Sequence, residues 1–194
     1  MSTRFTTLAA ASSVALTLSL AVAETASAFS VSYDQEVTAA GRVITSTVRL
    51  KDEQFRIETP VEGITNVIVR NRSGLYHYKL NERTATKLSP SSVLEYRADD
   101  LENFSGYLAD QHAALVGSET VNGYPAEIYR FTDPSSGGVT TTWVWKDKQF
   151  PVKIEQESPE GKIVAVMTNV QLGVDIPDAV FQLPAGMTVA EPGP

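Results

Sequence analysis

The sequence predicts an α+β protein in which one curled antiparallel sheet of about ten strands packs against a single helical segment. Two observations support this. Short segments that alternate apolar and polar residues, or that are rich in β-branched residues, recur along most of the chain and are separated by Gly, Pro, Asn or Asp. Between residues 92 and 115, in contrast, apolar residues follow the spacing of one face of an α-helix.

Residues 1–28 have the features of an export signal. Arg4 precedes an uncharged run from Thr6 to Ala23, and the segment ends in Ala26-Ser27-Ala28, the small-x-small pattern that signal peptidase cleaves. A retained membrane anchor is the alternative, but the run is shorter than the roughly 20 strongly apolar residues that a span needs. Cleavage after Ala23 is a second alternative. We expect a periplasmic or secreted protein whose mature part, residues 29–194, is a single domain.

The composition excludes several classes of function. The chain has no cysteine, so it cannot form disulfides or carry a lipid on an N-terminal cysteine. Its formal net charge is -7, from 16 Lys and Arg against 23 Asp and Glu. This balance disfavours nucleic acid and anionic membrane surfaces as partners, because both attract clustered Lys and Arg.

The strand segments come in two groups on either side of the helical segment. The first group runs from SVSYDQEVTA to LYHYKL, and the second from ETVNGYPAEIYRF to GKIVAVMTNVQL. Asn122-Gly123 in the second group is a strong hairpin signal. In LYHYKL, the alternation places Tyr76, Tyr78 and Leu80 on one side and His77 and Lys79 on the other.

The helical segment is predicted from Ser92 to about Leu115. Ser92 and Glu95 form a capping box at its start, and Gly106 is a point where the helix would bend or divide. Because an amphipathic helix must bury its apolar stripe, we expect this one to lie on a face of the sheet. The stripe consists of Leu94, Leu101, Phe104, Leu108 and Leu115.

The segment TTTWVWKDKQFPVKIEQE predicts a two-faced hairpin. With a two-residue turn at Asp147-Lys148, Trp145 faces Phe150, Trp143 faces Val152 and Thr141 faces Ile154, so that one side is apolar. A structural role in the core would by itself explain these aromatics. A large curled sheet that one helix covers incompletely would, alternatively, leave an apolar groove for a hydrophobic ligand. The candidate ligand-binding residues are Tyr76, Tyr78, Trp143, Trp145 and Phe150 from the sheet and Leu101, Phe104 and Leu108 from the helix.

No catalytic or metal-binding motif is recognisable. His77 and His112 are the only histidines and lack metal-ligand spacing, and there is no Gly-x-Ser-x-Gly elbow, phosphate-binding loop or thiol. Asp99 and Asp100 are adjacent on the predicted helix and therefore point in different directions. We expect neither an enzyme nor a cofactor or metal.

Two stretches resemble the outer-membrane lipoprotein carrier (LolA-like) superfamily. The first is RLKDEQFRIETPVEGITNVIVRNRSGLYHYKLNERTATKLSP, with Phe-Arg in one strand and aromatic-x-Tyr at a hairpin. The second carries the closing pattern of Asp178, Phe181, Pro184, Gly186 and Val189. The resemblance covers most of residues 31–189. It implies an open β half-barrel with one or two helices over its concave face, and a cavity that holds acyl chains in the carriers.

The chain departs from the carriers at its mature N terminus, where a strand replaces their amphipathic helix. We therefore expect an uncharacterised secreted member, and the fold carries over better than lipoprotein shuttling does. The first functional hypothesis is a periplasmic binding or carrier protein for lipids, lipidated proteins or other hydrophobic ligands. The alternative is a non-enzymatic envelope interaction or sensor module that uses the same fold without a lipid, through an envelope protein partner.

Overall fold

The computed structural model describes residues 29–89, 98–132, 137–159 and 161–191. The predicted export signal and the predicted helix start at Ser92 lie outside these residues. The strands before the helices are β1 (Ser30–Ala39), β2 (Arg42–Lys51), β3 (Gln54–Val61), β4 (Ile64–Asn71), β5 (Gly74–Lys79) and β6 (Thr84–Leu88). The helices are α1 (Ala98–Glu102) and α2 (Phe104–Asp110). The later elements are β7 (Ala114–Val121), β8 (Tyr124–Thr132), β9 (Val139–Trp145), β10 (Phe150–Ser158), β11 (Gly161–Leu172), a 3₁₀ helix (Asp178–Phe181) and β12 (Thr188–Ala190).

All twelve strands belong to one open sheet, in the order β12-β6-β5-β4-β3-β2-β1-β11-β10-β9-β8-β7. Two meanders, β1 to β6 and β7 to β11, are joined where β1 pairs with β11. The predicted α+β fold with one curled, open sheet is therefore confirmed. The pairing is antiparallel except that β12 lies parallel to β6, because the chain crosses the sheet through the 3₁₀ helix before it reaches that edge.

Tight turns produce the hairpins where the sequence predicts them. Asn122 and Gly123 have φ angles of 48° and 85°, the left-handed values that a two-residue type I′ turn requires. Val121 and Tyr124 pair directly across this turn. Asparagine and glycine adopt such angles at low cost, so the local sequence determines the β7–β8 hairpin.

The helical segment differs from the prediction in its extent. It divides at Asn103, whose Oδ1 accepts a hydrogen bond from the Gly106 backbone N–H at 3.2 Å and so caps α2. A Cβ atom at position 106 would collide with the Asn103 side chain, which explains why glycine suits this cap. The predicted continuation to Leu115 is wrong, because Leu115 is an exposed residue of β7.

The sheet has two faces with different cover. The helices pack on one face, here called the helix-side face, and strand alternation assigns the remaining residues to the opposite face. The main core cluster lies between the sheet and the helices. Its buried members are Val31, Tyr33, Val48, Leu50, Phe55, Leu75, Leu101, Phe104, Leu108, Phe131, Val144, Phe150, Ala165 and Met167.

The predicted register of the β9–β10 hairpin is correct at its start and wrong beyond it. Trp145 pairs with Phe150, and Val144 pairs with Pro151. A bulge then follows, so that Trp143 faces Lys153 instead of Val152. Proline cannot donate a hydrogen bond to the ladder, which accounts for a bulge next to Pro151.

Candidate functional site

The helices seal one half of the helix-side face. Leu101, Phe104 and Leu108 are buried against the sheet, as the helical spacing predicts. The Phe104 ring stacks on Tyr107 at a centroid distance of 5.4 Å, and Tyr107 meets the edge of Phe131 at 6.0 Å. This half of the face is a packed core.

Among the described residues, no helix covers the other half of the same face. Val37 pairs with Ile44, and Val61 pairs with Ile64. Ile44 and Val61 are each 47% exposed, and Ile64 and Ile163 are each 42% exposed. Ile163 pairs with Ala39, two residues beyond Val37, so the side chains at positions 37, 39, 44 and 163 share the face. We call this set the open strip: Val37, Ile44, Val61, Ile64 and Ile163.

The open strip is continuous with the core but divided at its outer end. Val37 packs against the main core cluster. The ladder between β2 and β3 ends at Thr47 and Glu58, one pair before a hydrogen bond of 2.8 Å between the Ser46 and Thr59 hydroxyls. Beyond it, the β1–β2 and β3–β4 hairpins present their apolar residues separately. The strip therefore offers apolar surface on two neighbouring hairpins and, through Ile163, on β11.

The structure does not bring the eight predicted site residues into one groove. Leu101, Phe104, Leu108 and Phe150 lie together in the main core cluster. Tyr76 and Tyr78 lie in a second cluster, beneath Ile176 and Phe181 of the C-terminal segment. Trp143 belongs to a third cluster with Ala126 and Val152, and the partly exposed Trp145 packs against it.

Alternation explains the separation. Leu75 is in the main core cluster, so its neighbour Tyr76 points to the opposite face. Val144 likewise lies in the main core cluster and directs Trp143 and Trp145 to the opposite face. Sequence alternation distinguishes the two faces of each strand but does not say which face the helices will cover. The open strip was missed, although the apolar residues at both ends of RVITSTVRL were visible.

Charged groups are concentrated on the opposite face. Lys153 Nζ lies 2.8 Å from Glu155 and 4.0 Å from the centre of the Trp143 ring. Lys162 Nζ lies 2.6 Å from Glu155. Hydrogen bonds from Lys153 and Lys162 lower the pKa of the Glu155 carboxyl below its usual value. These ion pairs contrast with the apolar open strip on the other side of the sheet.

Among the described residues, no group of three or more His, Cys, Asp or Glu is placed to hold a metal ion. The histidine on the helix-side face, His77, has its Nε2 atom 3.2 Å from the Asn66 Oδ1 atom. No helix within the described segments is long and apolar enough to span a membrane.

Comparison with known proteins shows the fold. No family model matches the chain, and no curated protein does. A solved complex of Pseudomonas aeruginosa MucA and MucB contains a chain that is 17% identical, with a TM-score of 0.57, over 84% of this chain and 58% of that one. An uncharacterised conserved protein from Thermus thermophilus is 11% identical, with a TM-score of 0.60, over 86% of this chain and 92% of that one.

A LolA superfamily protein from Nitrosomonas europaea is 18% identical over 80% of this chain and 90% of that one, with a TM-score of 0.38. This chain spans less than two thirds of the MucB chains it matches. At such identities the likeness concerns the fold alone. That fold is the open half-barrel expected from the resemblance to LolA-like proteins.

Proposed function

We propose that this protein is a non-enzymatic periplasmic binding or carrier protein that holds an apolar ligand, such as the acyl chain of a lipid or lipidated protein, on the open strip. The observation that supports this most directly is the exposure of Ile44, Val61, Ile64 and Ile163 on the face that otherwise forms the core. Val37, Ile44 and Ile163 lie on neighbouring strands and form the contiguous part of this surface, and contiguous exposed apolar surface is a mark of interaction sites in soluble proteins.

Removing an acyl chain from water supplies enough free energy for such binding. Each CH₂ group removed from water contributes about 0.8 kcal/mol, so burial of about ten of them supplies roughly 8 kcal/mol before the cost of ordering the chain. An acyl chain that lies on the open strip would run from Ile163 and Ile44 towards Val37, where the main core cluster begins. Leu108, Phe104, Leu101 and Phe150 would then border its inner end, whereas Tyr76, Tyr78, Trp143 and Trp145 would not contact it.

Calorimetric titration with fatty acids of increasing length tests the proposal on the exported protein after removal of co-purified lipid. Affinity should rise with chain length. In Ile44→Asp the affinity should fall about tenfold or more, because a carboxylate would replace an apolar contact with the bound acyl chain. Val43→Asp is the matched control, since Val43 is 59% exposed on the opposite face of the same strand. Equal loss in both variants, or no dependence on chain length, would contradict the proposal.

A second function is an envelope interaction or sensor module that binds a protein partner without lipid. The likeness to MucB, solved in complex with MucA, favours it. Because this chain covers 58% of the MucB chain in that complex, the likeness does not place a partner site on this chain. Native mass spectrometry of the freshly purified protein separates the two functions, because a carrier should retain lipid.

A further inference from the structure

The two edges of the sheet differ in length and protection. One edge is β12, which has three residues and pairs in parallel with β6. The other is β7, which has eight residues and pairs only with β8 among the described strands. Residues Ala114 to Thr120 are all exposed. Natural edge strands are commonly protected by shortness, proline, charged side chains or bulges. β7 has no proline, lysine or arginine, and its protection is limited to Glu119 and one bulge between Leu115 and Gly117.

The β7–β8 turn determines which backbone groups of β7 face outwards. In a two-residue hairpin the residues that flank the turn exchange both hydrogen bonds, and every second pair does the same. Val121, Glu119 and Gly117 therefore bond to β8, whereas the N–H and C=O groups of Ser118 and Thr120 point away from it. A bulge between Leu115 and Gly117 ends this regular stretch.

Charge favours a partner other than a second copy of this chain. Glu119 is the charged residue of β7, and it accepts a hydrogen bond from Trp143 Nε1. Two copies paired antiparallel through Ser118 and Thr120 would place their Glu119 carboxylates directly opposite each other. Like charges in that position are destabilising, and each chain also carries a net charge of -7.

The cation beside Trp143 is already engaged elsewhere. Lys153 lies over the Trp143 ring and pairs with Glu155. On the helix-side face, the Glu127 carboxylate pairs with Lys146 at 3.8 Å and accepts a hydrogen bond from Tyr129. A cation supplied by a partner opposite Glu119 would therefore add a favourable contact at the edge.

We propose that β7 accepts an extended segment of another protein as an additional antiparallel strand. This segment carries a Lys or Arg opposite Glu119, with apolar residues C-terminal to it that contact Leu115 and Val116. These two side chains are 58% and 57% exposed. Main-chain bonds to Ser118 and Thr120 supply affinity, and the side-chain pattern supplies selectivity. The proposal does not depend on an apolar ligand on the open strip.

The test uses a synthetic peptide that alternates valine and threonine around one lysine. A second peptide of the same sequence is N-methylated at the backbone nitrogens that would bond to β7. NMR titration of the isotopically labelled protein should shift the amides of Ser118 and Thr120, and the N-methylated peptide should bind about tenfold or more weakly because its donors are lost. Equal binding of both peptides, or shifts confined to other strands, would overturn the proposal.

Variants of β7 separate the backbone from the side chains. Ser118→Pro removes an outward N–H without removing a bond to β8, so peptide affinity should fall about tenfold, whereas Ser118→Thr should retain it. Glu119→Gln keeps an oxygen for Trp143 but should reduce both affinity and its dependence on salt. If Ser118→Pro fails to fold, Thr120→Pro serves the same purpose. Unchanged peptide affinity in the folded proline variant would overturn the proposal. The proposal would also be overturned if the unmodified protein self-associates and the proline variant does not.

Discussion

Leu50 and Ile44 lie on the same face of the same strand, yet Leu50 is buried and Ile44 is 47% exposed. The difference arises from the cover above them. A ten-residue strand such as β2 extends about 33 Å, whereas a seven-residue helix such as α2 extends about 10 Å. Within the described part of the chain, two short helices therefore cover one end of the face as core and leave the other end as surface. The same apolar alternation thus serves stability at one end and is available for binding at the other.

The largest effect on stability is expected where the packing of the helices against the sheet is disrupted. Phe104→Ala should lower the free energy of unfolding by about 3 to 5 kcal/mol, because it leaves a cavity between α2 and the sheet. Ser105→Ala, at an exposed position next to it, should change the free energy by less than about 0.5 kcal/mol. Urea unfolding measures both. Similar midpoints for the two variants would mean that the helix does not hold the covered half together.

The direct comparison is between Leu50→Ala and Ile44→Ala. The first should cost about 2 to 5 kcal/mol, as for other buried leucines. The second should cost less than about 1 kcal/mol, because nearly half of the side chain remains in water in the folded protein. Thermal and urea unfolding of the ligand-free protein provide the measurement. A large cost for Ile44→Ala would show that the outer end of the face is buried in solution.

A smaller effect is expected at the junction of the helices. Asn103→Ala removes the side chain that caps α2, and loss of such a cap costs about 1 kcal/mol. Hydrogen exchange should then become faster in α2 while the exchange of the β1–β2 hairpin remains the same. Uniform acceleration throughout the protein would instead indicate that the cap affects global stability only.

The smallest effect is expected on the opposite face, where Glu155 pairs with Lys153 and Lys162. Because the pKa of Glu155 in the folded protein lies below its ordinary value of 4.5, the contribution of this residue to stability is present above about pH 4.5 and is lost as the pH falls through the folded pKa. Glu155→Gln should therefore be less stable at neutral pH by under about 1 kcal/mol, and the difference should shrink in acid. The difference between Leu50→Ala and Ile44→Ala, being hydrophobic, should not follow this trend.

Local patterns predicted the elements of the molecule well. The alternating segments became strands, Asn122-Gly123 became a two-residue turn, and Leu101, Phe104 and Leu108 form a buried helical stripe. These features depend on neighbouring residues, whose periodicity and turn preference act within a few positions of each other. The helix end was misplaced because Leu115 continues the helical spacing by chance, although it belongs to the exposed strand β7.

The sequence by itself thus determined the strands, the hairpins, the apolar stripe of the helix and the absence of disulfides. Only the tertiary structure decided which face of each strand the helices cover, that Ile176 and Phe181 cover Tyr76 and Tyr78, and that Trp143 and Phe150 lie in different clusters. The physical reason is one of range. Alternation is a local property of a strand, whereas cover depends on segments distant in sequence and on how far a short helix can reach.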